Sequence, residues 1–243
     1  MEAAAGRIRR LVFYLREYFF PNGCSLCAGG LAGVDEAWYG LCETCRSQLD
    51  RELGETRAGE SCDYCGKPLI SEQGRCLSCR LEDTRSFDRA RVLFPYTGKY
   101  RQLLTAYKFG KNLAVGNFLV EKIQETLARG DFPPDCQIVP VPPRPGKIHE
   151  TGWDQVEYLA RLLESRAAVC RCLKRMASKS QKELGRENRR SNLQGRIVPV
   201  RQVPQTAVVI DDVMTTGATL DVCAAALKEA GAQTVYGLCL FYD

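Results

Sequence analysis

The stretch Ala207-Val-Val-Ile-Asp-Asp-Val-Met-Thr-Thr-Gly-Ala-Thr219 decides the fold. Ala207 to Ile210 form an apolar, β-branched run without polar relief, which predicts a central parallel strand, and residues 218 to 230 have the amphipathic spacing of its crossover helix. Asp211 and Asp212 then fall at the carboxyl end of that strand, where open α/β sheets place their ligands, as acceptors for hydroxyl protons. Thr215, Thr216, Gly217, Ala218 and Thr219 follow with hydroxyls, unhindered backbone N–H groups and a helix N-terminus, a combination that cradles a phosphate. A capped strand-to-helix turn also uses Asp and Thr, but two acids, two threonines and a glycine in this register point to a phosphate site.

The 243 residues suffice for one domain with a sizeable core, or for a medium domain with a small appendage, and 45% hydrophobic content supports a globular protein. Lys and Arg total 34 against 29 Asp and Glu, an excess too small to identify a nucleic-acid binder. Within residues 7 to 20, Ile8, Leu11, Val12, Leu15 and Phe19 share one helical face, and Pro21, Asn22 and Gly23 end the helix. That face can dock on the protein itself or lie on a membrane surface. Arg16 and Glu17 interrupt the run, no small-residue cleavage site follows, and no segment reaches bilayer-spanning length, so cytoplasm is the expected location.

Of 13 cysteines, eight form four Cys-x-x-Cys pairs before residue 80: Cys24 with Cys27, Cys42 with Cys45, Cys62 with Cys65, and Cys76 with Cys79. Each pair presents two thiolates at a tight turn, and two such knuckles complete a tetrahedral zinc site with no open position, hence a structural one. Sequential pairing is the simplest, and a crossed arrangement satisfies the same spacing. Residues 49 to 61 read as a short polar linker between the knuckle pairs. Cys136, Cys170, Cys172, Cys223 and Cys239 read as small core residues.

Further along, Arg91 to Thr97 is expected as a strand, followed by a helix through Tyr107 with Lys108 near its end, able to meet a phosphate or simply to face solvent. Asn112 to Ala128 is expected as a helix with Leu113, Phe118, Leu119 and Ile123 on its core side. Strands are expected over residues 137 to 141, 168 to 173, 197 to 200 and 234 to 240, with a helix over 154 to 165. His149, the single histidine, stands in a polar loop without an orienting partner and reads as an exposed loop residue. Trp153 either stacks on a base or clamps the following helix. From Arg171 to Arg196 there are nine Lys or Arg residues against Glu183 and Glu187, a segment suited to a phosphate-covering lid, a DNA-facing surface or a solvated face.

The Asp211 to Thr219 stretch resembles the phosphoribosyl-pyrophosphate motif of type I phosphoribosyltransferases. The resemblance implies that Asp211 and Asp212 bind ribose hydroxyls and that Thr215 to Thr219 bind the 5′-phosphate. Purine-salvage members often place an aspartate where this chain has Thr215, which argues against hypoxanthine or guanine as acceptor. Four cysteine pairs, then Phe87-Asp-Arg-Ala90, Phe94-Pro-Tyr96, Tyr107-Lys-Phe109, Pro140-Val-Pro142 and Gly152-Trp-Asp-Gln155, extend the likeness to the ComF/GntX family across nearly the whole chain.

That resemblance implies a double zinc ribbon over 23–82 behind an N-terminal helix over 1–22, and a phosphoribosyltransferase-like α/β domain with a parallel sheet over 83–243. It implies Arg144 and Lys147 near pyrophosphate, joined by Lys108, Arg175 and Arg190, with Arg186 and the acidic pair in the catalytic role. Zn²⁺ is then structural, and Mg²⁺ bridges ribose and pyrophosphate oxygens. The family is associated with transforming DNA or, in one branch, gluconate utilisation; the acceptor is not legible in these motifs. The alternative is a noncatalytic accessory binding single-stranded DNA or a competence helicase, with Tyr64, Trp153 and the basic segment supplying stacking and charge.

Overall fold

The computed structural model describes residues 23–58, 61–81, 85–176 and 197–243. The helix expected before residue 22 and the basic segment over 177–196, with Arg186 and Arg190, lie outside the described residues. Along the chain run α1 (Val34–Tyr39), α2 (Glu43–Ala58), α3 (Leu77–Leu81), β1 (Arg89–Pro95), α4 (Gly98–Lys108), α5 (Leu113–Ala128), β2 (Gln137–Pro140), α6 (Lys147–Thr151), α7 (Gln155–Leu163), β3 (Leu173–Arg175), β4 (Ile197–Pro199), β5 (Thr206–Met214), α8 (Ala218–Glu229) and β6 (Thr234–Tyr242). Four strands form a parallel sheet in the order β1-β6-β5-β2, so the apolar run of β5 is central, as its composition requires. β3 and β4 pair antiparallel in a separate two-stranded sheet.

Successive strand residues point to opposite faces, and this alternation divides the interior in two. Val208 and Ile210 of β5 join Leu103 of α4, Phe118 of α5 and Leu159 of α7 in one core. Ala207 and Val209 join Leu220, Cys223 and Leu227 of α8 in the other. The cysteine pairs divide in the same way: Cys24 and Cys45 belong to the first core, whereas Cys62, Cys65, Cys76 and Cys79 belong to the second. Among the described residues no helix is long and apolar enough to cross a membrane.

Several expectations are corrected. Residues 49 to 58 are not a linker: α2 continues through them, because Cys45, Leu49 and Leu53 follow at successive helical turns and are buried. β5 does not end at Ile210; Asp211, Val213 and Met214 pair with Cys239, Phe241 and Tyr242 of the equally long β6. The strand expected over 168 to 173 reduces to a single bridge between Val169 and Ile138, with regular pairing only at β3. Leu113 is exposed at the start of α5, where Asn112 supplies the cap by accepting from Ala114 N at 3.1 Å.

Candidate active site at the strand end

The two aspartates continue the alternation of residues 207 to 210 and so face opposite sides of the sheet. Asp212 lies on the α4 and α7 side, where its Oδ2 accepts from Lys108 Nζ at 2.6 Å and from Gln155 Nε2 at 2.8 Å. Burial disfavours its charged form, but the Lys108 charge and these two donors outweigh that and hold the Asp212 carboxyl below the ordinary carboxylate value. Asp211 faces the α8 side, and its Oδ1 accepts from Asp212 N at 2.9 Å. Burial first, then the neighbouring Asp212 charge, pushes Asp211 well above its ordinary value.

Asp211 opens into a recess lined by Thr215, Thr216, Gly217, Ala218 and Thr219, with Cys239 at its floor. Gly217 has φ 77°, a left-handed conformation that other residues adopt only with strain, and it leads directly into α8. Of the expected ribose and phosphate residues, Asp211 and Thr215 to Thr219 share one concavity, whereas Asp212 is turned to the other side.

Two separated motifs meet behind Asp212. Tyr107 OH donates to Gln155 O at 2.6 Å, and the Tyr107 and Trp153 rings meet edge to face at 5.4 Å. Asp154 caps α7 by accepting from Val156 N at 3.0 Å and Glu157 N at 2.9 Å, which sets the first turn that carries Gln155. Asp154 followed three residues later by Glu157 is a sequence-visible helix start, so this supporting role was legible. Gln155 as a donor to Asp212 was not, since no local pattern marks a contact between residues so far apart in the chain.

The expected pyrophosphate residues are arranged differently from one another. Lys108 sits on Asp212. Lys147 Nζ donates to Asp154 Oδ2 at 2.5 Å and also to Gln155 Oε1, while Arg144 forms a two-point ion pair with Glu150. Arg175 ends β3 in the two-stranded sheet. His149 is exposed on the short α6, and its neighbour Glu150, rather than the imidazole, engages Arg144. Trp153 acts as a clamp against Tyr107 and Tyr158, and Tyr64 stacks on Phe87 at 5.4 Å, so both aromatics considered for base stacking are engaged internally.

One residue beside the Thr215–Thr219 loop was missed altogether. Arg85 Nη1 donates to Thr216 O at 2.7 Å, bridging from the exit of the second cysteine region. An arginine just beyond a Cys-x-x-Cys pair carries no signal of that destination.

The cysteines resolve into sequential sets, Cys24/Cys27/Cys42/Cys45 and Cys62/Cys65/Cys76/Cys79, with all four Sγ atoms of each set within 4.8 Å of one another. Cys27 and Cys42 Sγ are 3.8 Å apart, as are Cys65 and Cys76 Sγ. A tetrahedron with metal–sulfur bonds of about 2.3 Å has an edge of about 3.8 Å, so the spacing fits a four-thiolate ion. Cys62 Sγ also accepts from Cys76 N at 3.4 Å, as a thiolate ligand does.

No protein-family model matches the chain. It is similar to the competence protein ComFC of Streptococcus pneumoniae, 28% identical over 203 residues that cover 80% of this chain and 84% of the relative. It is similar to ComFC of Bacillus subtilis, 25% identical over 241 residues, covering 94% and 93% of the two chains. The DNA utilization protein YhgH of Escherichia coli is 27% identical over 235 residues, covering 90% of this chain and 96% of the relative.

Proposed function

Because the chain belongs to the family of ComF and ComFC competence and DNA-utilisation proteins, we propose that it is a phosphoribosyltransferase-like protein that binds phosphoribosyl pyrophosphate or a related ribose phosphate and serves DNA uptake or transformation. The observation that carries this reading is the recess in which Asp211 faces Thr215 to Thr219 at the carboxyl end of a central parallel strand. Thr215 to Thr219 hold the 5′-phosphate through hydroxyls and the amides that open α8, and Asp211 accepts from the ribose.

Asp212, fixed by Lys108 and Gln155, keeps negative charge beside the reacting carbon and keeps an ammonium within reach of a leaving pyrophosphate. Arg144 and Lys147 reach that group only by exchanging their acidic partners for the ligand. Asp211, a carboxylate lining the recess, would help to hold Mg²⁺, which when bound would supply charge neutralisation. Zinc is the ion we assign to both thiolate sets, since four sulfur ligands favour it and leave no site for substrate.

Calorimetry with phosphoribosyl pyrophosphate plus Mg²⁺, with ribose 5-phosphate, and with short single-stranded DNA tests this. We expect the first two to compete for one site and Asp211→Asn to weaken the first about tenfold, the loss of one charge-assisted hydrogen bond. Heat from DNA alone, falling steeply with salt, would replace this reading with that of a noncatalytic DNA-binding or helicase-binding accessory.

A further inference from the structure

The chain leaving the second cysteine set is fastened at both ends, once to the phosphate loop and once to the set itself. At the loop end, Arg85 Nη1 holds Thr216 O at 2.7 Å, and Ser86 N donates to Asp221 Oδ1 at 2.5 Å, a buried carboxylate in the first turn of α8. A β-carbon at Gly217 would collide with the Arg85 guanidinium, so the loop is moulded around this side chain.

At the other end, Tyr64, which lies between Cys62 and Cys65, donates its hydroxyl to Phe87 O at 2.9 Å and receives Ala90 N at its carbonyl at 2.7 Å. Gly66 presses on β1 so closely that a β-carbon would lie 2.8 Å from Ala90 O. Cys65, Lys67 and Cys76 form one wall of a recess whose other wall is Arg85, Thr215 and Thr216. The first set is anchored elsewhere, on α5: Asn112 Nδ2 donates to Ser25 Oγ at 2.9 Å, and Asn117 Nδ2 to Trp38 O at 2.8 Å.

We propose that Arg85 is a positioning residue coupling the second four-cysteine set to the phosphate loop, so that metal held by Cys62, Cys65, Cys76 and Cys79, and not by the first set, keeps Thr215 to Thr219 in their ligand-ready shape. The reason is peptide geometry. In a trans peptide the carbonyl and the following N–H point in opposite directions, so pinning Thr216 O to Arg85 fixes where the Gly217 N–H is aimed. An anion site made of amides depends on such aim more than on any single side chain. Metal in the second set fixes Cys62 and Cys65, these fix Tyr64, and Tyr64 fixes the backbone from which Arg85 reaches out. The inference rests on the loop being the phosphate site, but its mechanical part is measurable without ligand.

The test is hydrogen exchange over residues 215 to 220 in protein of measured metal content, paired with calorimetry using phosphoribosyl pyrophosphate and Mg²⁺. In Arg85→Ala, with both metals retained, exchange there should quicken and affinity should fall, each about tenfold, the size of one lost hydrogen bond to a charged group. Arg85→Lys, which keeps one charged donor, should recover part of both. Cys76→Ser should loosen the same amides, while Cys42→Ser, which removes the other metal, should not.

Unchanged exchange in Arg85→Ala overturns the proposal, as does equal loosening in Cys42→Ser. Should Cys76→Ser fail to fold, Arg85→Ala and its lysine rescue decide alone. A wild type that takes up no phosphoribosyl pyrophosphate, with a loop still released by Arg85→Ala, would remove the functional reading and leave the coupling standing.

Discussion

One face of the parallel sheet carries Asp212 and the first four-cysteine set, the other Asp211 and the second, and the two faces treat their charges in opposite ways. On the first, Asp212 is closed in by Lys108 and Gln155, and the cysteine set is open, with Cys27 exposed and Cys42 half-buried. On the second, Asp211 looks into a recess, and all four cysteines of the set are buried. Closure is thus spent on the acid of one face and on the metal site of the other.

The largest expected effect would break this comparison most directly. Protein purified reduced and without chelator should carry about two zinc ions per chain, and Cys62→Ser should lose one of them with a stability loss approaching the folding free energy of a structural site, on the order of 10 kcal/mol. Cys27→Ser, at an exposed ligand, should be the milder change. Elemental analysis and denaturant unfolding that found the two variants alike would remove the distinction between the sets.

Next, Leu49→Ala should cost about 2–5 kcal/mol, because a fully buried leucine in the first core leaves a cavity that surrounding helices fill only in part. Its ligand affinity should stay at the wild-type value by calorimetry. A parallel loss of affinity would show that the first face also shapes the loop.

The acidic pair gives opposite pH signatures. Asp212 has a lowered carboxyl value, so its contribution to stability is present above the unfolded carboxylate value and is lost as pH falls through the lower folded one. Asp211 has a raised value, so its contribution is full below the unfolded value and is lost as pH rises through the higher folded one. Lys108→Met should therefore destabilise by about 1–3 kcal/mol at neutral pH, the cost of leaving a buried acceptor without its charged partner, and less in acid. Asp211→Asn should instead flatten the loss that accompanies rising pH. Denaturant midpoints followed against pH check both signs, and identical profiles would mean that the two aspartates share one environment.

The smallest effect expected is that of Tyr64→Phe, which removes the hydroxyl bond to Phe87 O but keeps the ring stacking, for about 1 kcal/mol. Faster exchange at 215 to 220 in this variant would sharpen the comparison by tracing the coupling through the knuckle.

Much of this molecule is legible in its chain. A β-branched run ending in two acids and a threonine-rich, glycine-containing turn requires a buried parallel strand, a tight turn and a helix start, and all three are local consequences of backbone geometry and apolar spacing. Four Cys-x-x-Cys pairs likewise announce thiolate metal sites, because a knuckle is a local turn. Other features came only with the tertiary structure. The length of β5 past Ile210 depended on a partner strand able to pair with it, and the alternation of strand residues carried as far as the two aspartates, sending them to opposite faces. The α2 helix overrode a polar composition because three side chains one turn apart could be buried. The division of the cysteine sets between two cores, Gln155 on Asp212 and Arg85 on Thr216 all join residues distant in sequence. Such contacts are decided by which surfaces the folded sheet brings within hydrogen-bond distance, and no window of the chain encodes them locally.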